Sequence, residues 1–339
     1  MTLPSILMRY SESVEATLRG LFTSHKVPLY HMMEYQLGWR EEQGEILEHP
    51  HDVDRLYSTL CVLSCNAMGG DPNDALLAAS ALELLENFFQ VHADIQDGNQ
   101  ERHGIPAVWW AWGPGQAINV GDAFQAFARL SLLQQKKANT SPDEILKAVK
   151  ILDVACLRAC EGLHLELAYQ ERVDITVEMY HRMAKERHGA LVGCAFELGA
   201  LASGIDDGAA EVMREFGEDL GMAYRIRDEL LDLWGVASTP LLRNTGVLNK
   251  KKSLPIVYAF EEGPIAQKRA LGNFFFKRVL ELTDIPVVID ILDTVGAKAY
   301  AHREVERLFE AALSRLDSIT LSSEGRHDLE AAARFLAFG

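Results

Sequence analysis

Residues 74–97 read DALLAASALELLENFFQVHADIQD, and their apolar side chains recur at three and four positions. That spacing makes the stretch one amphipathic helix, largely apolar around its circumference. It opens beside a Pro-Asn-Asp cluster suited to an N-cap, and Gly98 is a stop signal. The last turn then carries Asp94 and Asp97, three apart and so pointing the same way. Carboxylates at that end oppose the helix dipole by roughly 0.3–1 kcal/mol each. Two acids at the wrong end of a buried-looking helix call for a positive partner.

The same periodicity runs through DRLYSTLCVLSCNAM, GDAFQAFARLSLLQQ, DEILKAVKILDVACLRACEGLHLELAYQE and VEMYHRMAKERHGALVGCAFELGALAS. The region from Pro264 to Phe338 reads as further amphipathic helices. Alternating β-branched runs are nearly absent. The pattern predicts an all-α bundle of about ten or more helices, several too apolar to lie on a surface. No linker composition and no internal repeat interrupts the 339 residues, so one domain over 1–339 is expected.

Composition narrows the function. Lys plus Arg total 33 against 49 Asp plus Glu, a net charge of −16. An acidic chain without a basic stripe is a poor match for nucleic acid or anionic lipid. No apolar run approaches the ~20 residues that span a bilayer, and no signal peptide opens the chain, so a cytoplasmic location is expected. The five cysteines are odd in number and include pairs four apart, which suits reduced thiols on helix faces.

A second acidic cluster repeats the first. In YRIRDELLDLWG, residues 224–235, Asp228 and Asp232 lie one turn apart on one face, with Glu229 beside them. One such cluster is readily a solvated face; two in one all-α chain point to hard divalent cations, which offset both the dipole penalty and the carboxylate repulsion. Mg²⁺ is typically held by one or two carboxylates plus phosphate oxygens, so a phosphate-bearing ligand is implied. Cations suited to it follow the acids: Arg102 in NQERHGIP, Arg187 in AKERHG, Arg225 three before Asp228, and Lys251 in NKKKSLP. Singly, each reads as an ordinary surface charge.

With these motifs in order, from YHMMEYQLGW through LELLENFFQVHADIQDGNQERHGIP to GMAYRIRDELLDLWG and KKSLP, the chain resembles the trans-isoprenyl diphosphate synthases. The resemblance implies the all-α isoprenoid-synthase bundle around a central apolar cavity. It also implies two DDxxD motifs that hold Mg²⁺ and an allylic prenyl diphosphate, and a homodimer. Departures accompany it. The first motif reads Ala93-Asp94-Ile95-Gln96-Asp97, without its leading acid, while the second, Asp228 to Asp232, keeps its outer acids. The isopentenyl diphosphate segment GKRxR aligns with Val53-Asp54-Arg55-Leu56-Tyr57, a family His with Glu86, and the second Arg of RRG with His103. A second diphosphate would therefore meet net negative charge. Arg187-His188 stands for Lys-Thr, Arg225 for Gln and Gly246 for Asp, and Arg243 is a candidate replacement for a missing lysine.

The resemblance thus assigns Asp94, Asp97, Asp228 and Asp232 to metal, and Arg102, Arg187, Arg225 and Lys251 to the departing diphosphate. His188, Phe88 and Phe89 line the prenyl pocket, where the two phenylalanines limit chain length; they read equally well as core residues. Trp109, Trp110 and Trp112 read as packing. The expected activity is Mg²⁺-dependent ionisation of a short allylic diphosphate, giving a terpene or a prenyl group on an acceptor other than isopentenyl diphosphate. Two alternatives stay open: a non-catalytic partner subunit forming a heteromer with an active synthase, and a chain-elongating synthase with an unusual acceptor site.

Overall fold

The computed structural model of the chain describes residues 4–25, 27–48, 55–134, 141–235 and 245–339. Among them the protein is all-α, apart from one two-stranded hairpin, Glu101–Arg102 paired with Ile105–Pro106, and an isolated bridge between Arg40 and Ile46. The long helices are Leu76–Asp97, Pro114–Leu133, Pro142–Gln170, Asp207–Trp234, Ala297–Arg315 and Ser323–Phe338. None is long and apolar enough to cross a membrane. All five cysteines are free thiols.

Contacts divide the chain into two compact units: residues 1–154, 194–211 and 321–329 in the first, and 155–193, 212–320 and 330–339 in the second. In the first unit the helix Leu56–Ala67 carries ten buried residues among its twelve, including Ser58, Thr59 and Ser64. A helix so enclosed must satisfy its hydroxyls internally. Ser64 Oγ donates to the Phe196 carbonyl at 2.7 Å, and Thr59 Oγ1 to the Arg55 carbonyl at 2.8 Å. The 76–97 helix starts after a short 3₁₀ turn, Pro72–Ala75, whose Asp71 side chain accepts from the Asn73 amide. It stops at Gly98, which takes the left-handed conformation with φ 67° and returns its amide to the Asp94 carbonyl.

The second unit has two apolar clusters. Tyr180, Met183, Ile226, Leu230, Leu254 and Leu308 centre one, and Ile256, Leu271, Phe275, Val288 and Leu292 the other. Between Ala184 and Ala190 the helical path passes through a π-type turn, Lys185–Gly189. Such a wider turn resets which side chains face the neighbouring helices and is frequent at functional sites.

Helices in the first unit pack at backbone distance where glycine allows it. A Cβ on Gly199 would lie 2.1 Å from the Cys61 carbonyl oxygen and 2.7 Å from Ser64 Cβ. Gly199→Ala must therefore push two helices apart, at about 1–3 kcal/mol. The guanidinium unfolding midpoint should fall accordingly; an unchanged midpoint would mean that the two helices separate without loss.

Candidate active site

The first acidic motif ends the 76–97 helix. Asp94 is almost fully buried, and Arg102 grips it with two bonds, Nε to Oδ2 at 2.8 Å and Nη2 to Oδ1 at 2.7 Å. Asn99 Nδ2 adds a longer contact at 3.3 Å. The hairpin aims Arg102: His103 and Gly104, at φ 52° and 78°, make the two-residue turn between its strands. Burial opposes the guanidinium charge, but the bond to Asp94 and the fields of Asp94, Glu86 and Asp97 raise its pKa overall. One cation thus serves three carboxylates. Asp97 and Ala93 are half-buried, whereas Phe88 and Phe89 are buried with ring centroids 4.6 Å apart. The Trp109 indole donates to the Asn99 carbonyl at 2.6 Å, a packing role, and Trp110 is exposed.

In the stretch aligned with the isopentenyl diphosphate segment, Val53 and Asp54 lie outside the described residues, as does Arg243. Arg55 is described, and it is buried. Its Nη1 donates to Glu83 at 2.9 Å, and its Nη2 to Glu15 at 3.1 Å and to the Leu37 carbonyl at 2.8 Å. Ser58 Oγ completes the cluster on Glu83 at 3.1 Å. The cation retained at this segment is therefore neutralised within the protein.

The second motif lies on the Asp207–Trp234 helix. Arg225 is held between Glu166, through Nη2 at 3.0 Å, and Glu229, through Nε at 3.0 Å. The other oxygen of Glu229 accepts from the Tyr180 hydroxyl at 2.8 Å and from the Leu254 amide at 2.9 Å. Burial pushes the Glu229 pKa up, with Arg225 and the two hydrogen bonds opposing it. Glu166 goes the other way: burial would raise it, but the fields of Arg225, Lys251 and Arg187 bring it below the ordinary value. The same three cations surround His188. Burial first, and then Arg225, Arg187 and Lys251, hold its imidazole well below the usual pKa and so neutral near pH 7. His188 Nε2 is buried without a hydrogen-bond partner among the described residues.

Asp228 is half-buried, next to Arg227 Nη2 at 3.0 Å. Burial pushes its pKa up, while Arg227 and Arg225 pull it back. Asp232 Oδ2 accepts the Gly246 amide at 3.2 Å, and a Cβ on residue 246 would stand 2.9 Å from that oxygen. Of the lysine run, Lys252 turns inward, its Nζ on the carbonyls of Gln170 at 2.7 Å and Lys250 at 3.1 Å, and burial lowers its pKa to about 8.

The second unit therefore brings Arg187, His188, Arg225 and Lys251 together, with Asp228 beside Arg225. The first unit gathers Asp94, Asp97 and Arg102. Glu166 and Tyr180 are additions that sequence reading missed; a lone glutamate within the apolar run GLHLELAYQ was the available signal for the former. Among the described residues no three His, Cys, Asp or Glu side chains converge as a ready-made metal cage. Asp97 in the first unit, and Asp228 and Asp232 in the second, are hard oxygen donors of the kind that suits Mg²⁺, which leaves several of its positions to water and phosphate.

Known proteins share this frame. The polyprenyl synthetase family profile matches residues 53–292. Geranylgeranyl diphosphate synthase of Mycobacterium tuberculosis is 28% identical over 324 residues, 94% of this chain and 90% of that protein. The geranylgeranyl diphosphate synthase of Methanosarcina mazei is 32% identical over 266 residues, covering 78% and 79%. A polyprenyl synthetase from Streptomyces coelicolor superposes with a TM-score of 0.87 at 27% identity, over 98% of each chain. With its all-α fold, its two acidic motifs in family order and a match over most of its length, the chain belongs to the polyprenyl synthetase family of prenyltransferases.

Proposed function

We propose that the protein is a Mg²⁺-dependent enzyme that ionises a short allylic prenyl diphosphate, roughly C10–C20 if the buried Phe88–Phe89 pair bounds the prenyl chain. The cation then gives a terpene, or a prenyl group on an acceptor other than isopentenyl diphosphate. The observation that carries this reading is a contrast of cations. Arg187, Arg225 and Lys251 gather around Glu166, whereas Arg55, in the segment aligned with the acceptor site, is buried on Glu83 and Glu15. One diphosphate finds positive charge; a second does not.

In the reaction, the allylic C–O bond breaks heterolytically, its electron pair leaves with the diphosphate, and the carbon chain becomes a delocalised cation. Asp97 in the first unit, and Asp228 and Asp232 in the second, would each be oxygen donors to Mg²⁺, which when bound would supply charge neutralisation to the diphosphate. Arg187 and Lys251 donate charge-assisted hydrogen bonds to the same group. Asp94 contributes by holding Arg102, and it reaches a metal only if that two-bonded pair opens. Arg225 acts mainly by fixing Glu166 and Glu229 and by adding its field.

The printed names of the relatives support a second reading, chain elongation with isopentenyl diphosphate, since several are geranylgeranyl or farnesyl diphosphate synthases. An assay with geranyl, farnesyl and geranylgeranyl diphosphates and Mg²⁺, with and without isopentenyl diphosphate, separates them. The expected result is diphosphate release without a lengthened product. Isopentenyl-dependent lengthening would overturn the proposal, and inertness towards every substrate would favour a partner subunit.

Asp228→Ala should lower turnover by about 10²–10³-fold, the usual loss when one preorganised electrostatic contributor is removed. Near-full activity in that variant would reduce the second cluster to a solvated face.

Ala93→Asp restores the acid that the first motif lacks. It adds a further carboxylate beside Asp94 and Asp97, whose charges Arg102 already balances, so the metal-free melting temperature should fall and recover with Mg²⁺ and diphosphate. Turnover should drop or the product change, because Ala93 leaves room that the acid would fill. Unchanged metal dependence and product would mean that residue 93 does not face the metals.

A further inference from the structure

A cleft of about 280 Å³ opens in the second unit, lined by Leu230, Leu231, Trp234, Lys298, His302 and Phe338 among others. Its floor is one of the two apolar clusters of that unit, to which Leu230, Val305 and Ala337 belong. Its lip is apolar as well: Leu231 is 48% exposed and Phe338 46%. Large side chains left open beside a concave floor are the usual sign of a binding surface.

Arg227, Lys298 and His302 face the cleft, and no Asp or Glu side chain lines it, in a chain whose net charge is −16. Arg227 is already committed, to the Phe335 carbonyl at 2.6 Å and to Asp228 at 3.0 Å. Lys298 and His302 are exposed, one turn apart on the Ala297–Arg315 helix. Neither makes an ion pair with a described carboxylate; Lys298 Nζ instead stands 5.4 Å from the Trp234 ring centroid. Asp293 is near, but it is turned to the Trp234 indole N–H at 2.9 Å.

We propose that this cleft is a binding site for an amphipathic anion, with its apolar chain on Leu230, Leu231, Trp234 and Phe338 and a phosphate or carboxylate head on Lys298 and His302. The site borders the second acidic motif, since Leu230 and Leu231 stand between Asp228 and Asp232 on one helix. It uses none of the residues assigned to diphosphate or metal, and it stands whether or not the enzyme elongates.

The test is calorimetric titration of the full chain without Mg²⁺, using decyl phosphate, decanoate and decanol below their aggregation limits. At least one of the anions should bind saturably at one per chain and more tightly than decanol. Preference for decyl phosphate would assign a prenyl-phosphate-like head, and parity with decanoate a general anion site, fatty acids included. Lys298→Glu/His302→Glu should weaken the anion at least tenfold, and Leu231→Glu, an exposed change on the apolar lip, should weaken it as well. No saturable binding, equal binding of decanol, or unchanged binding in both variants would overturn the assignment. Because no turnover is measured, failure here leaves the catalytic proposal as it stands.

Discussion

One guanidinium held between two buried carboxylates organises the second unit. Arg225 reaches Glu166 on the Pro142–Gln170 helix and Glu229 on its own; Glu229 in turn receives the Tyr180 hydroxyl and the Leu254 amide. Glu229 thereby ties three helical segments, and Arg225 adds a fourth through Glu166. Charges removed from water gain little net stability as a set, but taking away one partner leaves the others uncompensated, typically at about 3–5 kcal/mol. Around this knot the helix carrying Asp228 and Asp232 has a fixed height, and the cations Arg187 and Lys251 have a carboxylate to gather around.

The same economy of charge separates the two acidic motifs. In the first unit Asp94, Asp97 and Glu86 share Arg102, whereas Arg55 is enclosed by Glu83 and Glu15. In the second, three cations share Glu166 and leave His188 neutral.

The helices were legible because their apolar spacing is local, and so was the Gly98 stop, whose left-handed φ needs no tertiary contact. The opening of the same helix was read slightly early: the α-helix begins at Leu76, after a 3₁₀ turn that Asp71 caps. The clustering of Arg187, Arg225 and Lys251 followed from the resemblance rather than from spacing. What stayed hidden were pairings across long separations. Nothing local in ERHGIP says that Arg102 folds back on Asp94, nor in CEGLHLELA that Glu166 awaits Arg225. The π-type turn that carries Arg187 and His188 is equally invisible to a pattern that assumes a uniform period. Nor does the sequence around Arg55 announce that its guanidinium is taken up by Glu83, Glu15 and the Leu37 carbonyl.

Gly246 has a consequence for how such a site can change over time. Its bare amide reaches Asp232 only because no side chain intervenes, and the nearest carboxylate oxygen is 2.9 Å from where a Cβ would be. Any residue other than glycine, an aspartate included, would displace Asp232 before contributing anything of its own. The two positions therefore change as a pair: a side chain gained at residue 246 is accommodated only as the Asp232 carboxylate turns away from the amide it now accepts, so the acid of the second motif and its neighbour share one fate.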